Sequence, residues 1–311
     1  MAPITVGLAG ITGKFGRLLA SQLLQNEDVL LRGYARDPSK VVPALASSPR
    51  VSLFKGEALD DGSIKPFVAG CDVVVCAYLG PDELMVDGQK KLVDACEEGG
   101  VPRYVASDWA LDYTKLEPGE LFPKDAMIHV RAHLQTKKKV QGVHVLIGGF
   151  MDPLLSPFFN VWDPESRTLQ YWGEGTEPWE GTSYANAAEF TAAVVADRSA
   201  VGIKKYLGDR KTIKEIAATF QKVYGFQPTL KRLGSLDDLK ARMYELQAKA
   251  PADVFSYMSL FFTYFWLNGR TFVGPDTDNA NYPEVKPETW EDFLSKRKLE
   301  ELTHAYFALA K

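Results

Sequence analysis

Little in this 311-residue chain points to a metal, a disulfide framework or a nucleic acid. It has three cysteines, Cys71, Cys76 and Cys96, without metal-ligand spacing, and they read as reduced core thiols of a cytoplasmic protein. Of its four histidines, His129 and His133 share i,i+4 spacing but have no third ligand nearby. They read as solvent-facing side chains, and no metal is expected. Neither sign of charge dominates: 36 Lys plus Arg against 40 Asp plus Glu give a net charge of −4, unlike the basic face that a phosphate backbone requires. Long apolar runs are missing too. The most apolar stretch, 254–267, carries Ser256, Ser259 and Thr263 and is shorter than the ~20 residues of a spanning helix, so it reads as a buried helix and no membrane association is expected. No basic leader precedes the apolar run at 4–9, and neither Ser63 nor Ser107 sits in a histidine–acid pattern, which argues against a hydrolase triad.

What the chain does have is enough apolar content, 46%, to bury a full core, and a length that suits two domains. Its first half alternates short Val/Ile/Leu-rich runs (4–9, 29–35, 51–55, 71–78, 103–107, 143–150) with helical stretches (15–25, 64–69, 89–98, 127–138). Unbroken apolar strands separated by helices predict βαβ units and a doubly wound parallel sheet, an α/β Rossmann architecture. After Met151 prolines, tryptophans and glycines become frequent. A small ribbon is expected from 169–172 and 182–184, then helices at 185–196, 212–224, 236–246, 254–267 and 289–310. The division expected is a nucleotide domain over 1–152, also receiving 184–210 through a late strand near 204–207, and a smaller, mostly helical substrate lobe over 153–311.

The strongest motif follows the first strand: Gly10-Ile11-Thr12-Gly13-Lys14-Phe15-Gly16. Glycines at this spacing permit a tight turn and close approach of backbone to a diphosphate, which the next helix's N-terminus then faces. Gly10, Thr12, Gly13, Lys14, Phe15 and Gly16 are therefore candidate cofactor residues. Arg36 stands 20 residues after Gly16, where an NAD site carries a carboxylate, and Lys40 lies nearby. A guanidinium there favours the 2′-phosphate of NADP(H). Asp37 reads as a turn or N-cap residue.

Together with Ala35-Arg36-Asp37-Pro38-Ser39-Lys40, Gly70-Cys71-Asp72-Val73-Val74-Val75 and Gly99-Gly100-Val101-Pro102-Arg103-Tyr104-Val105-Ala106-Ser107-Asp108-Trp109, the loop resembles the NmrA-like and isoflavone-reductase-like branch of the atypical short-chain dehydrogenases. The segments 184–189 and 231–236 resemble fungal NmrA-like proteins in particular. The resemblance implies a Rossmann domain binding NADP(H) and a smaller substrate lobe. It places Glu57 and Ala58 near the adenine, and Ala77, Tyr78, Gly149 and Phe150 near the far half of the cofactor. Isoflavone-type reductases carry a lysine in a Lys-x-x-apolar-Arg pattern; here Val130 and Arg131 fit, but Met127 stands where the lysine belongs. Lys124, one turn earlier, is the candidate proton donor. Tyr282 and Lys286 match Tyr-x-x-x-Lys but lie far outside the nucleotide domain and are set aside.

Ser107, at the carboxyl end of the fifth strand, could orient a substrate, and Tyr113 could donate a phenolic proton. Trp109, Met151, Trp172, Phe262 and Trp266 are candidate walls for a small hydrophobic or aromatic substrate. Glu174, Glu177 and Glu180 read as exposed loop carboxylates. The function expected is an NADPH-dependent reductase of secondary-metabolite type. The alternatives are a non-redox isomerase or cyclase, and an NADP(H)-sensing regulator with a protein partner.

Overall fold

A computed structural model describes residues 3–308 and divides them into two compact units. The first unit comprises residues up to 109, 124–146 and 187–204; the second comprises 110–123, 147–186 and 205 onward. A single cut at 152 would thus assign 110–123 and 147–152 to the wrong side.

The elements run β1 (Ile4–Ala9), α1 (Lys14–Leu23), β2 (Val29–Ala35), α2 (Pro43–Ala46), β3 (Val51–Lys55), α3 (Asp61–Val68), β4 (Val73–Cys76), α4 (Gln89–Gly99), β5 (Arg103–Val105), α5 (Asp125–Gln135) and β6 (Gln141–Leu146). Then follow β7 (Gly149–Phe150), α6 (Met151–Leu154), β8 (Trp162–Asp163), β9 (Thr168–Trp172), β10 (Pro178–Thr182), α7 (Tyr184–Ala196), β11 (Gly202–Lys205), β12 (Asp209–Thr212), α8 (Ile213–Tyr224), β13 (Thr229–Gly234), α9 (Leu236–Lys249), α10 (Met258–Leu267), α11 (Trp290–Ser295) and α12 (Ala305–Ala308).

The first unit is built on a seven-stranded sheet of order β11-β6-β5-β4-β1-β2-β3, in which the strands from β3 to β6 all pair in parallel. This is the Rossmann order, with the reversal point between β1 and β4. Val73, Val74, Val75 and Cys76 are all fully buried, as a strand covered on both faces requires. Ile64, Phe67, Leu92, Val93, Cys96, Val130 and Leu134 pack helices α3, α4 and α5 into one core with the sheet. The three thiols are free and buried, and desolvation pushes Cys71 up to about 11 and Cys76 up to about 12. The late strand expected near 204–207 is β11, at the sheet edge beside β6. The stretch before it is clipped by buried Arg103, whose guanidinium donates to the carbonyls of Val194 (3.2 Å), Val195 (2.8 Å) and Asp197 (2.6 Å). These are C-terminal carbonyls of α7, which have no partner within the helix.

The second unit holds two three-stranded sheets, β12-β10-β7 and β13-β9-β8, and a core of Trp162, Trp179, Phe220, Phe261, Phe265, Trp266, Trp290 and Phe293. The expected ribbon of 169–172 with 182–184 does not form: β9 pairs with β8 and β13, while β10 pairs with β7 and β12. The run 143–150 is not one strand. Gly148 takes φ +68, and a Cβ there would stand 2.4 Å from the Glu180 carbonyl, so the chain turns and Gly149–Phe150 joins the second unit's sheet. The helix expected over 289–310 is also interrupted. Lys298 is extended (φ −76, ψ 152), and a 3₁₀ turn at Leu299–His304 buries Leu302; the end of that expected helix lies outside the described residues.

Candidate dinucleotide and proton-donor site

The glycine loop leaves β1 at Gly10, whose N–H donates to the Tyr34 carbonyl at 3.0 Å. Gly10 has φ +86, and a Cβ there would meet the Ala77 carbonyl oxygen at 2.7 Å. At Gly16 a Cβ would stand 2.2 Å from the Gly10 carbonyl oxygen, so this glycine lets α1 press against the loop. Gly13 differs: it is exposed, and its nearest neighbour would be the Gly10 oxygen at 3.2 Å. It is the N-cap of α1, with no side-chain cap and no acid in the first turn, so the helix's first N–H groups face outward beside bare backbone. Thr12 and Lys14 are half-buried at the same turn, and burial lowers the Lys14 ammonium, with Arg17 adding to the effect. A cradle of this shape and polarity fits a diphosphate.

Arg36 and Lys40 are exposed at the end of β2. Asp37 is engaged locally: its carboxylate accepts from the Ser39 hydroxyl (2.6 Å) and N–H (3.1 Å), capping the turn Pro38–Lys40. Those hydrogen bonds hold its carboxyl below the usual range. The N-cap expected of Asp37 is therefore present, and Arg36 occupies the position where an NAD site presents a carboxylate. At the end of β3 the Glu57 carbonyl accepts from the buried Tyr34 hydroxyl at 2.8 Å, while its side chain is exposed. Ala58 lies against Gly88.

At the carboxyl ends of β4 and β5 the structure brings several candidates together. The Ser107 hydroxyl donates to the Tyr78 carbonyl at 2.7 Å, and the Ser107 N–H donates to Gln89 Oε1 at 3.0 Å. The Ser107 proton is thus committed to tying β5 to β4, where the sequence suggested that the hydroxyl orients a substrate. Trp109 has φ +35, a strained conformation for a bulky residue; its indole N–H donates to Thr191 Oγ1 at 2.8 Å, and its ring packs on Phe15 at 4.1 Å.

Lys124 ends a 3₁₀ turn (Phe122–Lys124) and caps α5, so it precedes the helix instead of lying on its face. Burial pulls its ammonium down to about 8, opposed by the Asp108 carboxylate. Asp108 in turn meets His144: Oδ2 and Nδ1 are 2.7 Å apart, and both side chains are buried. Sequence reasoning missed His144, a lone polar residue in an apolar strand, and Gln89, whose side chain holds the end of β5. Met127, at the position of the family's lysine, is buried in the first unit.

The remaining candidates belong to the second unit. Tyr113 is fully enclosed, which corrects its expected role as a phenolic donor. Gly149 packs under Trp266, where a Cβ would stand 2.1 Å from the indole, and Phe150 stacks on Tyr184 at 3.8 Å; neither lies at the end of a strand of the nucleotide sheet, as expected of them. Met151 is wholly buried, and Trp266 is buried with its N–H donating to the Glu180 carbonyl at 2.8 Å. These two are core residues and not pocket walls. Trp172 and Phe262 are half-buried. Glu180, expected in an exposed loop, is fully buried. Desolvation raises its pKa, while the Val273 and Gly274 N–H groups and Arg210 at 3.6 Å favour the charged form. His133 is likewise not solvent-facing: its Nε2 lies 2.7 Å from Asp94.

Residues 10–143 match a family of NAD(P)H-binding domains. Over 160 residues the chain is 27% identical to an NmrA-like family domain-containing oxidoreductase of Gibberella moniliformis, covering 50% of the chain and 53% of that protein. The chain thus spans about half the length of this curated relative. Among solved structures it is similar to an isoflavone reductase (TM-score 0.78, 19% identity, 95% of this chain and 99% of that one). It is also similar to a leucoanthocyanidin reductase–NADPH complex of Vitis vinifera (TM-score 0.76, 20% identity, 94% and 98%). These likenesses establish the fold. Among the described residues, no helix is long and apolar enough to cross a membrane.

Proposed function

We propose that the chain is an NADPH-dependent reductase of a small hydrophobic or aromatic molecule. The observation that carries this reading is the placement of Lys124. An amine with a pKa of about 8 sits at the head of α5, beside the Asp108 carboxylate, in the unit that holds the glycine loop. An ammonium of that strength is matched to donating a proton near neutral pH. In this reading the N–H groups at Gly13 and the start of α1 hold the diphosphate, and Arg36 with Lys40 grips the 2′-phosphate. When bound, NADPH supplies a hydride to a carbonyl, enone or imine carbon. Lys124 Nζ gives a proton to the electron-rich partner atom, while Asp108 favours the charged amine from which that proton comes. The substrate class is suggested by the reductases whose structures share this fold and by the aromatic content of the chain. The test is NADPH oxidation across a panel of enones and aromatic carbonyls, for the native chain and for Lys124→Met. Turnover that Lys124→Met abolishes without weakening NADPH binding supports the reading; no oxidation with any substrate overturns it.

Met127 favours a second reading. With the family's lysine position occupied by a buried thioether, the same fold could serve a non-redox isomerase or cyclase, or a regulator that reports the NADP+/NADPH ratio to a protein partner. Turnover that persists without cofactor marks the first of these, and partner capture that depends on that ratio marks the second.

A further inference from the structure

The ring of Tyr78 leaves the end of β4 and crosses the glycine loop. A Cβ on Gly10 would lie 3.3 Å from Tyr78 Cδ1, and one on Gly88 would lie 3.6 Å from Tyr78 Cε2 and 3.2 Å from the Ala58 Cβ. Tyr78 and Ala58 therefore flank one glycine, and the ring points toward the side of the sheet where β2 and β3 end. The electrostatic neighbours of the phenol include Tyr34 and Glu57, which stand at those two strand ends, besides Cys76 on its own strand. The hydroxyl is shut away from solvent and has no hydrogen-bonding partner among the described residues.

A buried hydroxyl without a partner costs stability, and the great majority of such groups are paired. A phenylalanine would give the same packing without that cost. A group kept at a cost beside a ligand cradle is accounted for when the ligand completes it.

We propose that the Tyr78 hydroxyl is a binding residue for the adenosine half of the dinucleotide, and not for the nicotinamide half that strand position alone suggests. The adenine ring offers both acceptor nitrogens and an amino donor, and a phenol can donate to the former or accept from the latter. The ring of Tyr78 lines the same position with apolar edge, so the cofactor gains a hydrogen bond while the free protein carries the unsatisfied group. The inference rests on the dinucleotide reading of the loop and not on hydride transfer.

Tyr78→Phe tests it with two readouts that do not involve turnover. The free variant should melt at the native temperature or up to a few degrees above it, since it loses only an unpaired polar atom. Its Kd for NADPH should rise about 5- to 20-fold, the worth of one buried hydrogen bond and its desolvated partner. Adenosine 2′,5′-bisphosphate, which carries only the adenosine half, should lose affinity by the same factor. A variant that melts below the native protein, or fails to fold, overturns the proposal, because the hydroxyl was then already satisfied. So does an unchanged Kd for NADPH. A variant that loses NADPH affinity but keeps that of the bisphosphate overturns the assignment to the adenosine half. A protein that binds both ligands as expected but reduces no substrate leaves this inference standing while removing the reductase reading.

Discussion

Asp108 and His144 face each other across the carboxyl end of the nucleotide sheet, carboxylate Oδ2 and imidazole Nδ1 2.7 Å apart and both side chains buried. The pair couples β6 to the segment that follows β5, and its carboxylate is the one that acts on Lys124. Replacing His144 by Leu removes a donor from a desolvated carboxylate. The expected cost is about 2–4 kcal/mol of unfolding free energy, read from urea denaturation. A loss under about 0.5 kcal/mol would show that Asp108 is held by other groups.

Lys124 should titrate differently when Asp108 is neutral. The carboxylate favours the ammonium, so Asp108→Asn should bring the amine below its value of about 8. Acylation of Lys124, followed by mass spectrometry as a function of pH, measures this directly. A midpoint that stays in place or moves up contradicts the electrostatic link.

The same lysine sets a stability window. Its amine is less basic folded than unfolded, so between about pH 8 and the ordinary lysine range the unfolded chain binds more protons and native stability rises with pH. Below pH 8 the buried charge is a standing cost. Lys124→Met should therefore raise stability at pH 7, by up to about 3 kcal/mol, with the gain shrinking toward pH 10. Melting curves at several pH values decide it.

Two of the loop glycines should separate by effect. Gly16→Ala drives a methyl to 2.2 Å from a backbone oxygen and should cost about 3 kcal/mol or more. Gly13→Ala brings its methyl only to 3.2 Å from the Gly10 oxygen, at an otherwise exposed position, and should lower the melting temperature by no more than a few degrees, while weakening NADPH binding at least ~10-fold in calorimetry.

Arg36 tests the choice of coenzyme. Arg36→Ala should weaken NADPH about 10- to 100-fold and NADH hardly at all, as expected for loss of a charge-assisted contact to one phosphate. Equal losses for both would place the guanidinium elsewhere.

The first four strands and their helices were legible because each signal was local: apolar runs of strand length, a glycine loop between strand and helix, an Asp before Pro at a turn. The break at Gly148 was not. Residues 143–150 are apolar except for His144, and only the pressure of the Glu180 carbonyl, over 30 residues away, turns the chain there. Glu180 itself was misjudged because its compensating partners, the Val273 and Gly274 amides, are distant in sequence. Lys124 was found through a displaced family pattern, yet its partner Asp108 and that partner's His144 carry no spacing that would mark them. The candidate pocket residues divided as burial dictates: Trp266 and Met151 serve the core, a role that composition does not distinguish from a pocket wall.

The clip that Arg103 places on the carbonyls of Val194, Val195 and Asp197 has a consequence for biogenesis. On the ribosome, the nucleotide-binding half must wait with an unfinished edge until about two thirds of the polypeptide has emerged. A premature stop before residue 194 would remove all three acceptors of a buried guanidinium, so the fragment ending at 146 should be a poor substitute for a stand-alone module.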